Sequence, residues 1–180
     1  MKRRQKQRRR RWNWISEQIL KHGFTKGAEI GCHKGNTTSY VLQYCPEVHL
    51  IAVDLWAFLP EVYCPRELTL RTNENQDAIF NIFKKKVEPY KKRLQILRGV
   101  SWEMANLVPD ESLDFIFIDA DHGYENVKKD IIAWVPKVKK GGLICGHDIN
   151  ISGVYQAVQE LIIDSKAAGT DVIWYTWKSL

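Results

Sequence analysis

The chain has 180 residues, 44% of them hydrophobic, which suits one domain with a buried core and leaves little room for a second. No apolar run approaches the ~18 residues that a membrane span needs, and no apolar stretch follows the basic N-terminus to make it a secretory signal. The four cysteines are widely spaced and include no CxxC pair, which argues against a zinc site and a disulfide framework. This cysteine usage favours a reducing, cytoplasmic setting.

The net charge of +6 is concentrated at the N-terminus. Residues 1–11 hold eight basic side chains and no acid, which leaves 19 of the 27 basic residues against 21 acidic ones in the rest of the chain. Because like charges repel and bury nothing, residues 1–11 are predicted to form a disordered tail before a single domain at residues 12–180. Such a tail suits binding to phosphates of RNA, DNA or an anionic membrane. It is also compatible with a solubilising extension or part of a targeting or expression sequence.

Apolar periodicity and turn residues predict alternating helices and strands in the rest of the chain. Helices are predicted at 12–22, capped by Asn13, and at 37–44, 74–90, 102–107, 123–138 and 154–165. Strands are predicted at 28–31, 49–55, 94–97, 113–118, 143–145 and 172–177. The segment 57–73 is predicted to be a loop and is the candidate lid over a substrate. Because the strands are continuous apolar runs that alternate with helices, we expect an α/β fold with a parallel sheet covered on both faces.

The turn after the first strand carries a possible ligand-binding signal. Gly31 and Gly35 have the spacing GxxxG, and glycines allow a ligand to approach the backbone next to the free N–H groups of the following helix. Glu29 lies just before Gly31, where it can engage a cationic or hydroxylated ligand. The spacing differs from the dinucleotide fingerprint GxGxxG, which counts against a nicotinamide cofactor. On its own, GxxxG also fits an ordinary strand–helix turn.

A second signal is Asp54, at the end of the second strand. In Rossmann-like domains an acid at this position accepts hydrogen bonds from ribose hydroxyls. Asp54 alone would also fit a turn. Combined with the glycines, it favours binding of a nucleoside.

Several segments together resemble a known family. The segments AEIGCHKGNTT, IAVDLW, LRGVSWE, DFIFIDADHGYENVKKDI and KKGGLICGHDI occur in order within residues 25–160. They resemble small class I S-adenosylmethionine-dependent methyltransferases, especially the branch with FIDADHxYE and GGxIxGHD, which is similar to cation-dependent O-methyltransferases. The resemblance implies a Rossmann-like three-layer α/β/α sandwich whose mostly parallel sheet has an antiparallel C-terminal strand. Family sheets usually end in a hairpin, and here only 172–177 is clearly strand-like after the last helix.

The resemblance also implies cofactor contacts. Glu29, Gly31 and Gly35 would line the amino-acid end of S-adenosylmethionine, and Asp54 would hold the ribose. The remaining implied contacts, beside the adenine, over its edge and at the end of the fourth strand, are Leu55, Trp56, Gly99, Val100, Ser101 and Asp119. All of them follow the carboxyl ends of strands, where open α/β sheets bind ligands.

Acids and imidazoles follow two neighbouring strands. Asp119, Asp121 and His122 follow one strand, and His147 and Asp148 follow the next. Because adjacent parallel strands end at the same edge of the sheet, these side chains are expected to converge and could hold a divalent cation. The alternative is that Asp121 and Asp148 cap the helices that follow while His122 packs on the cofactor, and for Asp121 we favour the capping role.

By resemblance, Asp119 and Asp148 would be metal ligands, and His122 stands where related enzymes often place a lysine base. His147 replaces an acid of the family pattern, so it is a candidate ligand, a supporting group or a base. The predicted metal ligands are thus Asp119, His147 and Asp148, with His122 and Asp119 as catalytic residues. Magnesium prefers oxygen ligands, so a histidine ligand favours manganese, iron or zinc over magnesium.

Three functions are compatible with this pattern. The leading one is methylation of a small-molecule or sugar hydroxyl by S-adenosylmethionine, assisted by Mg or Mn. The second is methylation of RNA or DNA, with residues 1–11 supplying affinity for nucleic acid. The third is a binding module that keeps the cofactor fold without catalysis.

Overall fold

The computed structural model describes residues 10–67 and 74–179. Most of the predicted tail (residues 1–9) and part of the predicted loop (residues 68–73) lie outside the described residues. The α-helices are α1 Arg11–His22, α2 Asn36–Tyr44, α3 Gln76–Val87, α4 Ser101–Met104, α5 Tyr124–Trp134 and α6 Ser152–Leu161. The strands are β1 Lys26–Ile30, β2 His49–Asp54, β3 Leu94–Arg98, β4 Leu113–Ile118, β5 Val138–Gly146, β6 Lys166–Ala167 and β7 Trp174–Trp177. Among these helices, none combines the length and the apolar character that a membrane crossing requires.

The strands form one seven-stranded sheet in the order β3-β2-β1-β4-β5-β7-β6. Strands β1 to β5 pair in parallel, whereas β7 runs antiparallel to β5 and β6 antiparallel to β7. This confirms the predicted Rossmann-like three-layer fold with its antiparallel C-terminal strand. The hairpin partner that the sequence did not reveal is β6, which has only two residues and therefore leaves no readable alternation.

Alternation along the central strand β4 builds a core on each face of the sheet. Ile116 and Ile118 join the cluster that packs against α5 and α6, whereas Phe115 and Phe117 join the cluster that packs against α1 and α2. All four side chains are buried, which explains why β4 is a continuous apolar run.

Several predicted boundaries change. The first helix begins at Arg11, inside the predicted tail, and its N-cap is Arg10. The predicted cap Asn13 is therefore wrong: it is the third helical residue, and its side chain accepts a hydrogen bond from the Arg10 N–H at 3.1 Å. The predicted helix 74–90 is an α-helix only to Val87 and continues as a 3₁₀ turn with a proline in its first turn, because proline removes a backbone donor.

Candidate functional site

The parallel register aligns the ends of the central strands. Ile30 pairs with Val53 on one side and with Ile118 on the other, and Ile118 pairs with Gly146. The residues that follow these positions therefore meet along one edge of the sheet. They are Gly31, Asp54, Asp119 and His147. The convergence that the sequence predicted thus follows directly from strand pairing.

Two clefts open at this edge. The apolar cleft contains seven of the residues predicted to contact the cofactor: Gly31, Asp54, Leu55, Gly99, Val100, Ser101 and Asp119. The polar cleft contains Glu29, Gly31, Asp119, His122 and Asp148, together with Arg11. The two clefts share Gly31, His33, Asp119 and Ala120, so they meet in front of the ends of β1 and β4.

Asp54 is held rigidly in the apolar cleft. One carboxylate oxygen accepts the backbone N–H of His33 at 2.7 Å, and the other accepts the backbone N–H of Trp56 at 3.0 Å. Because each carboxylate oxygen can accept more than one hydrogen bond, both retain capacity for a ligand hydroxyl. The turn after β1 and the turn after β2 therefore fix the position of this acid.

Trp56, predicted to lie beside adenine, is instead part of the core. Its ring is 1% exposed and packs 4.8 Å from the Phe80 ring and 4.5 Å from the Phe83 ring. Its indole N–H donates to the carbonyl of His33 at 2.9 Å. The side chain thus stabilises the turn after β1 through this hydrogen bond and does not line the apolar cleft.

The two glycines of the turn have different roles. Gly31 has φ +91°, and an added Cβ would overlap the backbone of Asp119 and Ala120. Only glycine therefore allows β1 to end this close to β4. Gly35, with φ +73°, is the N-cap of α2, an added Cβ there would meet the Phe83 ring, and the residue is not among those that line either cleft.

Glu29 is buried at the inner end of the polar cleft. Its Oε2 accepts a hydrogen bond from the Thr38 hydroxyl at 2.5 Å, and Glu29 is only 3% exposed. Burial raises the pKa of Glu29 to about 8, only partly offset by the hydrogen bond from Thr38. The carboxyl group is thus protonated at neutral pH until a cation or a stronger donor reaches it.

His122 is clamped between two carboxylates. Its Nδ1 lies 2.6 Å from Glu67 Oε1, and its Nε2 lies 2.7 Å from Asp148 Oδ2. Burial alone would lower the pKa of His122, but the hydrogen bonds to Asp148 and Glu67 raise it to about 10. At neutral pH the imidazole is therefore protonated and fixed in place by the two carboxylates. The sequence had suggested a free base at this position. Despite partial burial, hydrogen bonds with His122 and His147 hold the pKa of Asp148 well below its usual range.

Arg11 and His147 lie on the other side of Asp119. Arg11 Nε is 3.3 Å from Asp119 Oδ2, and Arg11 Nη1 is 3.1 Å from His147 Nδ1. His147 Nδ1 is also 3.0 Å from Asp148 Oδ2 and 3.6 Å from Asp119 Oδ1. Burial raises the pKa of Asp119 to about 6, although the charge of Arg11 lowers it.

The donor set near Asp119 fits a divalent cation. Asp119, His122 and Asp148 each offer a ligand atom, and these atoms all lie within 4.8 Å of one another. Two carboxylates and an imidazole suit manganese, iron or zinc better than magnesium. An ion here would replace the hydrogen bond between His122 and Asp148. The predicted ligand His147 is not one of these three residues, although its Nδ1 lies 3.0 Å from Asp148 Oδ2 and 3.1 Å from Arg11 Nη1.

The capping roles considered for Asp121 and Asp148 are wrong. Asp121 accepts the Gly123 N–H at 2.6 Å and the Cys64 N–H at 3.0 Å, so it tightens the turn before α5 and ties the 57–67 segment to it. The N-caps of α5 and α6 are Gly123 and Ile151, and neither makes a side-chain cap.

Sequence reasoning missed Arg11, Glu67, Asn126 and Asp130, all of which line one of the two clefts. Glu67 is 2% exposed and lies in the predicted lid, together with Val62 and Tyr63 on the wall of the apolar cleft. Asp130 is 1% exposed and accepts the Ser101 hydroxyl, and burial raises its pKa to about 7. Asn126 and Asp130 are four residues apart, which places both on one face of α5. This spacing of two polar residues was the available signal for Asp130.

Comparison with known proteins identifies a family for this chain and solved structures with a similar fold. A family model described as a methyltransferase domain matches residues 28–149, about two thirds of the chain. The structure of the O-methyltransferase NovP has a TM-score of 0.71 and 13% identity, covering 94% of this chain and 78% of NovP. An O-methyltransferase from Bacillus cereus in complex with SAH has a TM-score of 0.65 and 14% identity, covering 93% of this chain and 80% of that chain.

One curated relative is a protein of Sinorhizobium fredii described as uncharacterized protein y4gI, which is 30% identical over 78 residues. The match covers 41% of this chain and 9% of that protein, so the chain spans less than a tenth of its length. The family match is decisive: the chain belongs to the methyltransferase domain family. The methyltransferase family that the sequence resembles is therefore confirmed.

Proposed function

We propose that the chain transfers a methyl group from S-adenosylmethionine to a hydroxyl oxygen of a small polar acceptor, such as a sugar. The observation that carries this proposal is the junction of the two clefts at Gly31, Asp119 and Ala120. One cleft offers the surroundings of a nucleoside and the other offers charged and polar groups. A donor that bridges them would present its sulfur and methyl group at their junction.

The apolar cleft would hold the adenosine part of the donor. Asp54 would accept the ribose hydroxyls, because it lines the cleft at the end of β2 and its two oxygens are fixed by backbone N–H groups of the turns after β1 and β2. Leu55 and the segment 99–101 would enclose the adenine. The buried pair formed by Ser101 and Asp130 supplies polar groups at this end of the cleft.

The amino-acid part of the donor would enter the polar cleft beside Gly31. Glu29 is the acid nearest the end of β1, and it would accept the donor's ammonium group. Because the pKa of Glu29 is about 8 without a ligand, binding of a cation would favour loss of its proton. Gly31 permits the close approach that this placement needs.

Methyl transfer asks the protein to align the reacting atoms and to take one proton. The acceptor oxygen forms a bond to the methyl carbon while the bond between carbon and sulfur breaks, and its electron pair returns to sulfur. Asp119 is a better proton acceptor than His122, because its pKa of about 6 leaves it ionised at neutral pH. His122 already carries a proton in its clamp, so it would position Asp148 and balance the charge of the carboxylates.

The same residues provide for metal assistance. Asp119, His122 and Asp148 are the residues that would hold a divalent cation, and His122 would have to give up a ring proton to bind it. A bound cation would lower the pKa of the acceptor hydroxyl and stabilise the developing alkoxide.

Thermal unfolding with S-adenosylhomocysteine, S-adenosylmethionine or NAD tests the donor, in the wild type and Asp54→Ala. A ligand at ~100 times its dissociation constant adds about 2.7 kcal/mol, a shift of roughly 5–10 °C for a domain of this size. We expect a shift with the two sulfur ligands only, and a smaller one in Asp54→Ala. A shift with NAD, or with none of the three, would contradict the proposal. Binding without turnover in a screen of hydroxylated acceptors would favour the non-catalytic module.

A second candidate function is methylation of RNA or DNA. It is favoured by the sequence before α1: six of positions 1–9 are basic, and the chain continues from them through Arg10 to Arg11, which lines the polar cleft. Nucleic-acid binding through this segment would weaken steeply with salt, and deletion of residues 1–9 would flatten the salt dependence. Equal slopes with and without residues 1–9 would remove this candidate.

A further inference from the structure

Arg11 is fixed at the site by contacts from three different parts of the chain. Its backbone N–H donates to Asp171 Oδ2 at 2.7 Å, and its Nη1 lies 3.1 Å from His147 Nδ1. Its Nε lies 3.3 Å from Asp119 Oδ2 and is buried without a well-formed hydrogen bond. The guanidinium is therefore held as a charge beside the carboxylate of Asp119.

The turn that anchors Arg11 is strained. Asp171 has φ +47° and Val172 has φ +49°, and positive φ is unusual for a β-branched residue such as valine. Strain of this kind persists where the surrounding structure requires it, often at functional sites. Here it presents the Asp171 carboxylate to the first residue of α1.

Arg11 contacts the carboxylate of Asp119, which also belongs to the candidate cation site formed with His122 and Asp148. Arg11, Asp119, His122 and Asp148 all line the polar cleft. The oxygen of Asp119 that faces Arg11 is Oδ2, and the Asp119 side chain is 11% exposed, so water screens this pair only weakly. A divalent cation and a guanidinium sharing one largely buried carboxylate would repel each other strongly.

We propose that Arg11 is an internal cation of this site, which competes with a divalent cation for Asp119. The inference rests on the proposed metal assistance. In this arrangement metal binding requires the Arg11 side chain to withdraw from Asp119. The chain then has a built-in counter-ion that keeps weakly binding ions out of the site.

The chain offers a matched control for this proposal. Arg10 is the neighbouring residue, is exposed, and contacts the Trp12 ring, with its guanidinium carbon 5.7 Å from the ring centroid. Arg10→Gln and Arg11→Gln therefore remove the same charge from adjacent positions, one outside the cleft and one inside it. Arg11→Lys keeps a charge at the inner position.

Mn²⁺ binding is measured by the loss of the electron paramagnetic resonance signal of the free ion, on the full chain at constant pH. We expect Arg11→Gln to bind Mn²⁺ about tenfold or more tightly than the wild type, because a like charge has left the ligand group. Arg10→Gln should stay within about twofold of the wild type, since an exposed charge is screened. Arg11→Lys should remain close to the wild type.

The proposal would be overturned if Arg11→Gln bound Mn²⁺ with the same affinity as the wild type or more weakly. It would also be overturned if neither protein bound Mn²⁺. Binding of S-adenosylhomocysteine in the same samples separates this outcome from failure of the proposed function. If that ligand binds all variants equally, the donor site stands whatever Mn²⁺ does. If Arg11→Gln loses affinity for that ligand and Mn²⁺ binding does not change, Arg11 belongs to the donor site and the proposal is wrong.

Discussion

The substitution Gly31→Ala tests the close approach of β1 and β4 on which both clefts depend. The backbone at Gly31 has φ +91°, so an alanine pays roughly 1–2 kcal/mol for the left-handed conformation. Its Cβ would also lie well inside 3.0 Å of the carbonyl group of Asp119, where no flexible side chain can move aside. Relieving this overlap shifts the end of β4 and costs roughly a further 1–3 kcal/mol, as in overpacked cores.

Gly23→Ala is the matched control. Gly23, after α1, has φ +66° but no atom within 4 Å of an added Cβ, so an alanine there has the conformational cost alone. Because 1 kcal/mol corresponds to about 2–4 °C in a domain of this size, Gly31→Ala should unfold at least that far below Gly23→Ala. Only Gly31→Ala should lose the thermal shift produced by S-adenosylhomocysteine. If both variants unfold together and both keep that shift, the close approach at Gly31 is not what shapes the site.

Substitutions at three other positions give separate tests. Asp54→Ala should weaken S-adenosylhomocysteine binding, measured by calorimetry, by about 1.5–3 kcal/mol for each charge-assisted hydrogen bond lost, and unchanged affinity would exclude a ribose contact. Burial raises the pKa of Glu29 from 4.5 to about 8, so the folded state favours the protonated form and wild-type stability falls as pH rises from 4.5 to 8. Glu29→Gln should reduce this fall in urea unfolding at pH 5 and pH 8, and identical pH slopes would show that Glu29 ionises freely. Asp130→Asn should keep the hydrogen bond from Ser101 and match or exceed the wild type at pH 8, whereas Asp130→Ala should lose about 1–3 kcal/mol. Equal urea midpoints for the two Asp130 variants would contradict that role.

The sequence predicted the framework of the site because its main determinants are local. Continuous apolar runs identify β2 and β4, and parallel pairing with β1 then brings the carboxyl ends of all three strands to one edge. Asp54 could be placed from its position at the end of β2 alone. The cluster of Asp119 and Asp148 followed from the same rule, because each acid comes after one of two adjacent strands.

The residues that sequence analysis misplaced are those whose partners lie far along the chain. Arg11 belongs to a run of like charges that locally favours disorder, but its backbone bonds to Asp171, 160 positions away. Trp56 follows Asp54 directly, which suggests a place beside the ligand, yet Phe80 and Phe83 of α3 draw its ring into the core. No local pattern in the sequence predicts either set of contacts.

The topology also explains why so many acids gather at this edge and how the fold tolerates them. Acids stand near the ends of β1, β2, β4 and β5, and their mutual repulsion would be costly if all were ionised and uncompensated. Burial keeps Glu29 protonated, while His122 and Arg11 place positive charges beside Asp148 and Asp119. Under the proposed function, the donor brings a positive charge at sulfur that disappears when the methyl group leaves. An acid-rich edge therefore attracts the donor more strongly than the product, which favours exchange of one for the other after each transfer.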